Sequence, residues 1–163
     1  MRAALAAVAL AVGGCADVPS PASTEPGSVT RVRVEEVIDG DTLAVRIDGR
    51  RRTVRLIGID TPETRRPGSP VECGGAAATA HLERIAPAGR TVALRTDPTQ
   101  DAEDRYGRLL AYVDDLAERQ LEAGHAKVYV YERPFRRLRR FRAAERRARG
   151  ARRGAWAACG PGF

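Results

Sequence analysis

Lysine is almost absent from this 163-residue chain: Lys127 is the only one, so a net charge of +7 rests on arginine. A pI near 10.1 favours polyanionic partners, whether nucleic acid, anionic lipid or an acidic protein. Abundant Arg beside abundant Ala is also what a GC-rich genome produces, so part of this basicity is compositional. Histidine and cysteine are scarce too. His81 and His125 stand at no ligand spacing from Cys73 or Cys159, which argues against a zinc site. There is no internal repeat, which excludes a solenoid, and the length fits one compact domain with a short appendage.

The apolar run at the N-terminus is too short to cross a bilayer as a helix. MRAALAAVALAVGGC has instead one Arg followed by a stretch of secretory length, so residues 1–14 read as a signal peptide. Val12-Gly13-Gly14-Cys15 resembles a lipoprotein cleavage site, making Cys15 the lipidated residue of a surface lipoprotein. An ordinary cleaved signal peptide and a secreted product is the alternative. Residues 15–28, which include the Pro/Ser-rich DVPSPASTEPGS, read as a flexible tether, and residues 29–160 as the folded domain. In an exported domain, Cys73 and Cys159 point to one disulfide. It would close a loop of over eighty residues, worth about 4 kcal/mol in the chain-entropy account.

Within the domain, Val32, Val34 and Val37 predict a strand with a break near Glu35-Glu36, and Asp39-Gly40-Asp41 a turn. Leu43, Val45 and Ile47 alternate as in a half-buried strand, Asp48-Gly49 is a two-residue hairpin signal, and Arg52–Ile59 is the return strand. A helix over 76–86, strands at Thr91–Leu94 and Arg108–Val113, a helix over 115–123 and a short extended KVYVY follow. From Phe135, apolar residues at spacings of three and four run to Ala155, predicting one long helix with an arginine face. Five short strands with three helices give an α+β fold, a small β-barrel of the OB type.

Arg55, inside the strand VRLIG, needs an anion if it points inward, and is an ordinary surface residue if it does not. Asp41 and Asp60, each beside a threonine at a strand boundary, offer hard oxygen ligands suited to Ca²⁺ or Mg²⁺. Each acid alone reads more readily as a plain turn or strand-end residue. Glu63 lies three residues past Asp60 across the stiff Pro62, where a carboxylate can orient or deprotonate a water. Arg108 follows Tyr106-Gly107 and presents a planar fork that suits phosphate. Spacing does not join these residues: along a straight strand, Arg55 and Asp60 would be roughly 16 Å apart.

The ordered set VIDGDTLAV, VRLIGIDTPET, DRYGRLLAYV and EAGHAKVYVY closely resembles the staphylococcal nuclease family, over about residues 31–157. The resemblance implies an OB-fold five-stranded β-barrel with three helices and Ca²⁺-dependent hydrolysis of DNA and RNA. The P–O5′ bond would break, leaving 3′-phosphate ends. Asp41, Asp60 and Thr61 would bind calcium, Thr61 through its backbone carbonyl. Glu63 would position or deprotonate the attacking water, while Arg55 and Arg108 would hold the phosphate. Arg105, Tyr106, Tyr129 and Tyr131 match positions that contact the substrate, and the protein is expected to be a monomer.

Some departures stand out. KVYVY is one residue short of the best-known member, bearing on Tyr129, and Arg105 stands where a lysine is often found. The segment between Tyr112 and Leu116 is abbreviated, and Gly74 takes an often aromatic position. The two cysteines resemble those of the exported branch and would pin the C-terminal helix to the start of the first. The arginine face is open to three readings: nucleic-acid backbone, anionic lipid, or a solvated surface. A non-catalytic nucleic-acid-binding module and a structural surface lipoprotein remain as competing functions.

Overall fold

The computed structural model describes residues 29–64, 68 and 70–163. The expected signal peptide, Cys15 and the tether lie outside the described residues.

Strand β1 (Val29–Asp39) runs through Glu35-Glu36 without the expected break. The register against β2 (Thr42–Ile47) shifts between Val34 and Glu36, so the irregularity is a bulge. An extra residue in the alternation explains why Val32, Val34 and Val37 all reach the core although the last two are three apart. β1 pairs with β2 through one half and with β5 (Thr91–Arg95) through the other. Asp48 and Gly49 both have positive φ, as a two-residue hairpin requires, and lead into β3 (Arg50–Leu56). Strand β6 (Leu109–Val113) lies parallel to β3 and antiparallel to β5. The order β1-β2-β3-β6-β5 closes into a five-stranded barrel, the expected OB-type α+β architecture.

The return strand does not continue to Ile59 as the sequence predicts. It stops at Leu56, the chain turns at Gly58, and Ile59–Asp60 forms a separate strand, β4, against β7 (Lys127–Val128). Gly58 has φ +83°, and a Cβ there would sit 2.4 Å from the Phe135 ring, so both conformation and space demand glycine.

Helices α1 (Gly75–Ile85) and α2 (Leu116–Glu122) fall close to their expected places. Ala78, Leu82 and Ile85 of α1 are buried, and the helix packs on β1. The predicted long C-terminal helix is two pieces: α3 (Leu138–Gly150) and α4 (Ala155–Ala158). Between them the backbone of Arg153-Gly154 presses on that of Ala123-Gly124. A Cβ on Gly154 would meet the Ala123 carbonyl oxygen at 2.5 Å, and one on Gly124 the Arg153 oxygen at 2.2 Å. That close approach stops a continuous helix even though the apolar spacing carries on. Phe141, Ala144 and Ala148 turn the inner face of α3 into the core. The Cys73–Cys159 disulfide is present and ties the end of α4, rather than a long helix, to the residue just before the Gly74 cap of α1.

Candidate active site

The barrel register places the first two site residues side by side. Thr42 pairs with Arg55 across β2 and β3, and the Leu56 amide donates to the Asp41 carbonyl at 2.9 Å. Beyond Leu56 the turn at Gly58 doubles the chain back, so the Arg55 guanidinium lies over it. Its Nη1 donates to the carbonyls of Ile59 (2.8 Å) and Leu56 (3.2 Å). Its Nη2 lies 3.0 Å from both Asp41 Oδ2 and Asp60 Oδ1. The straight-strand separation of Arg55 and Asp60 therefore does not apply, because the intervening glycine abolishes the straight strand.

Asp41 is 5 % exposed. Its Oδ2 accepts from the Thr61 amide (3.0 Å) and hydroxyl (3.1 Å) as well as facing Arg55, and its Oδ1 accepts from the Thr42 hydroxyl (2.9 Å). These bonds make good the cost of burying a charged carboxylate. Asp60, by contrast, faces solvent. Asp39 joins them as a residue that sequence reasoning treated only as part of a turn. Its Oδ1 accepts from the Asp41 amide at 3.1 Å, and burial, with the Asp41 charge second, pushes its pKa up to about 6. Two acids flanking one glycine at a strand end was the available signal.

Opposite this group stands Arg108. Its Nε donates to Asp104 Oδ2 at 2.7 Å, and its amide donates to Asp104 Oδ1 at 3.0 Å. Burial works to raise the Asp104 pKa, but the Arg108 amide and guanidinium and the Tyr106 amide outweigh it, holding the carboxyl below its ordinary range. Asp104 thus fixes the arginine, whose guanidinium lies 5.4 Å from the centre of the Tyr106 ring. It is the first residue of the DRYGR motif and was assigned no role from sequence.

Arg55, Asp60, Arg105, Tyr106, Arg108, Tyr129 and Tyr131 line one cleft of about 390 Å³. Tyr106, Tyr129 and Tyr131 are all exposed, and Tyr129 and Tyr131 stack with centroids 6.4 Å apart. The Tyr129 amide donates to the Gly58 carbonyl at 3.0 Å, so the shortened KVYVY segment is anchored on the same turn that the Arg55 guanidinium covers. Exposed tyrosines around a cleft lined by both arginines and carboxylates suit the faces of nucleobases. Arg105 donates to the Tyr106 hydroxyl at 2.7 Å and lies over its ring.

Asp41, Thr61 and Glu63 do not line the cleft. Asp41 and Thr61 lie behind Arg55. Glu63 stands in the loop leading to α1, where its amide donates to Glu72 Oε2 (3.0 Å) and its Oε1 accepts from the Thr64 amide (2.8 Å). Among the described residues no group of three or more His, Cys, Asp or Glu side chains is placed to hold a metal. The donor chemistry nevertheless fits a hard cation. Asp41 Oδ2 and Asp60 Oδ1 each lie 3.0 Å from one nitrogen of Arg55, hence within 6 Å of each other, and both are hard carboxylate oxygens.

A closed OB-type barrel with carboxylates, arginines and tyrosines gathered at one cleft defines the class of protein. The particular family follows from comparison: the family described as Staphylococcal nuclease homologue matches residues 53–158. The chain belongs to that family. It is 35 % identical to Endonuclease YncB of Bacillus subtilis (strain 168) over 146 residues, covering 86 % of this chain and 68 % of the relative. It is 34 % identical to the Thermonuclease of Staphylococcus hyicus over 128 residues, covering 76 % of this chain and 74 % of the relative.

Proposed function

We propose that this protein is a calcium-dependent endonuclease that hydrolyses phosphodiester bonds in DNA and RNA and leaves 3′-phosphate ends. It is exported, held at the cell surface through a lipidated Cys15, and acts as a monomer. The observation that carries the enzymatic reading is that Arg55, held from behind by Asp41, meets Asp60 at a tyrosine-rimmed cleft that also holds Arg108. Relatives named endonuclease and thermonuclease support it. The export reading rests on the sequence MRAALAAVALAVGGC.

In this reading Asp41, Asp60 and the Thr61 main-chain carbonyl hold the ion, which when bound supplies positive charge against the phosphoryl oxygens. Tyr106, Tyr129 and Tyr131 hold bases flanking the scissile phosphate, and Arg105 holds a neighbouring phosphate. Glu63 takes a proton from water as its oxygen bonds to phosphorus. The P–O5′ bond breaks and the leaving oxygen takes a proton from solvent. Arg55 and Arg108 neutralise the charge that gathers on the phosphoryl oxygens during this displacement. Asp104 keeps Arg108 aimed.

The test is incubation of the purified protein with DNA and with RNA, in calcium and then in chelator. Cleavage of both in calcium, with 3′-phosphate ends and none in chelator, is expected. A folded protein that binds but never cleaves would be a binding module instead. Glu63→Gln with an unchanged rate would overturn the assigned water activation, and Cys15→Ala leaving the protein in the membrane fraction would overturn the anchor.

A further inference from the structure

The arginines on and just before α3 fall into two main sets, apart from Arg149, which lies over the Trp156 ring. Arg140 pairs with Glu118, Arg147 with Glu122, and Arg137 donates to the Asp114 carbonyl and lies over the Tyr112 ring. The single acid of the helix, Glu145, is turned away to accept from the Val128 amide at 2.8 Å. Arg136, Arg139, Arg142 and Arg146 form the second set. They are exposed, and none of their side chains has an acidic or hydrogen-bonding partner among the described residues. At about 100° per residue, Arg139, Arg142 and Arg146 fall within an arc of roughly 60°, opposite the buried Phe141, Ala144 and Ala148. A composition bias alone adds arginine without sorting it into paired and unpaired sets by face.

We propose that this unpaired arginine face is a second nucleic-acid contact, a track that grips the phosphate backbone of a polymer beyond the cleft. Three observations support phosphate of a nucleic acid as the occupant. The track follows the cleft directly along the chain: Arg133 and Phe135 line the cleft, and the next residue, Arg136, lines the shallow groove along α3. Arg139 to Arg146 spans roughly 10 Å of helix, over which a duplex presents about six phosphates. The face also lacks the apolar residues with which an interfacial helix enters a lipid surface, since the apolar side of α3 is already committed to the core. The inference rests on the nuclease reading for the presence of a polymer in the cleft. It adds that long substrates are held at two places and short ones at one.

The test replaces Arg139, Arg142 and Arg146 together by Gln, leaving every cleft residue in place, with the melting temperature as the check on folding. Binding to a long single-stranded DNA is measured in chelator, so no cleavage is needed. Three lost phosphate contacts remove about 2 from the slope of log affinity against log salt. Wild type should therefore lose about 20-fold more affinity than the variant between about 50 and 200 mM salt. In calcium, KM for the polymer should rise while turnover of a dinucleotide stays unchanged. Equal salt slopes would overturn the track. So would a loss seen only on phosphatidylglycerol vesicles, or an equal loss of dinucleotide and polymer turnover. Failure of cleavage in calcium with the slope difference intact would instead count against the nuclease reading.

Discussion

Gln120 should matter to stability far more than its place on a short helix implies. It is completely buried on α2, and its side chain joins three elements. Its Nε2 donates to the Gly40 carbonyl at 2.5 Å and to the Ala78 carbonyl of α1 at 2.9 Å. Those two acceptors fix the amide orientation, so Oε1 faces His81 Nδ1 at 2.6 Å and the imidazole must carry its proton there. Replacing Gln120 by Leu keeps the volume and removes all three bonds. The Ala78 carbonyl keeps its place in the α1 ladder, but the Gly40 carbonyl and the His81 N–H are left buried without their partner. Each such group costs about 1–3 kcal/mol, so the variant should lose about 2–6 kcal/mol.

The assay is urea unfolding of wild type and Gln120→Leu at neutral pH, with the midpoint falling and the m-value unchanged. A loss below about 1 kcal/mol would refute the reasoning, because it would mean that water or a local shift satisfies both groups without cost. A second variant, His81→Phe in the Gln120→Leu background, sharpens the test. If the stranded N–H is part of the penalty, removing it should recover some stability.

Other expectations can be checked in the same way. Opening the disulfide with Cys73→Ser and Cys159→Ser removes a constraint on residues 86 apart, costing about 4–5 kcal/mol in the chain-entropy account and read as a drop in the urea midpoint. Burial lowers the pKa of both His81 and His125, whose rings are 4.9 Å apart, and the charge each would meet from its neighbours pushes the same way. Their folded pKa lies below the ordinary 6.5, so the stability they contribute is whole above that pH and is lost as pH falls below it. Unfolding midpoints at successive pH values should show that loss, and replacing both histidines by Phe should remove it. Arg108→Lys keeps the charge but loses the planar fork, and should lower kcat by about 10²–10³ with the melting temperature unchanged.

What the sequence made legible follows from local signals. Alternation at Leu43, Val45 and Ile47 and the Asp48-Gly49 pair determine a hairpin within a few residues, and the structure has it there. Spacing along α1 identifies its buried face for the same reason. Features that depend on distant backbone were hidden. In VRLIGID, Gly58 sits among apolar residues that all favour a strand, and only the Phe135 ring packed against it reveals that the chain must turn. The end of α3 depends on Gly124, about thirty residues upstream, and the apolar spacing gives no sign of it. Gln120 looks like a helix-surface residue until Gly40 and His81 are seen around it.

The candidate site follows the same division. Residue types allowed a cation ligand set and phosphate-binding arginines, but each residue alone read more readily as a turn or surface group until the ordered motifs were taken together. Their assembly required one positive-φ glycine. Without the turn at Gly58, Arg55 would point along β3 toward solvent, Asp60 would lie beyond its reach, and Tyr129 would lose the carbonyl on which its amide rests. Gly58→Ala therefore perturbs more than local strain. A Cβ 2.4 Å from the Phe135 ring, on a backbone at φ +83°, must displace either the ring or the turn. If the turn moves, catalysis should fall along with stability. If activity survives at full rate while stability drops, the ring has yielded, and the position of Arg55 owes less to this glycine than its geometry indicates.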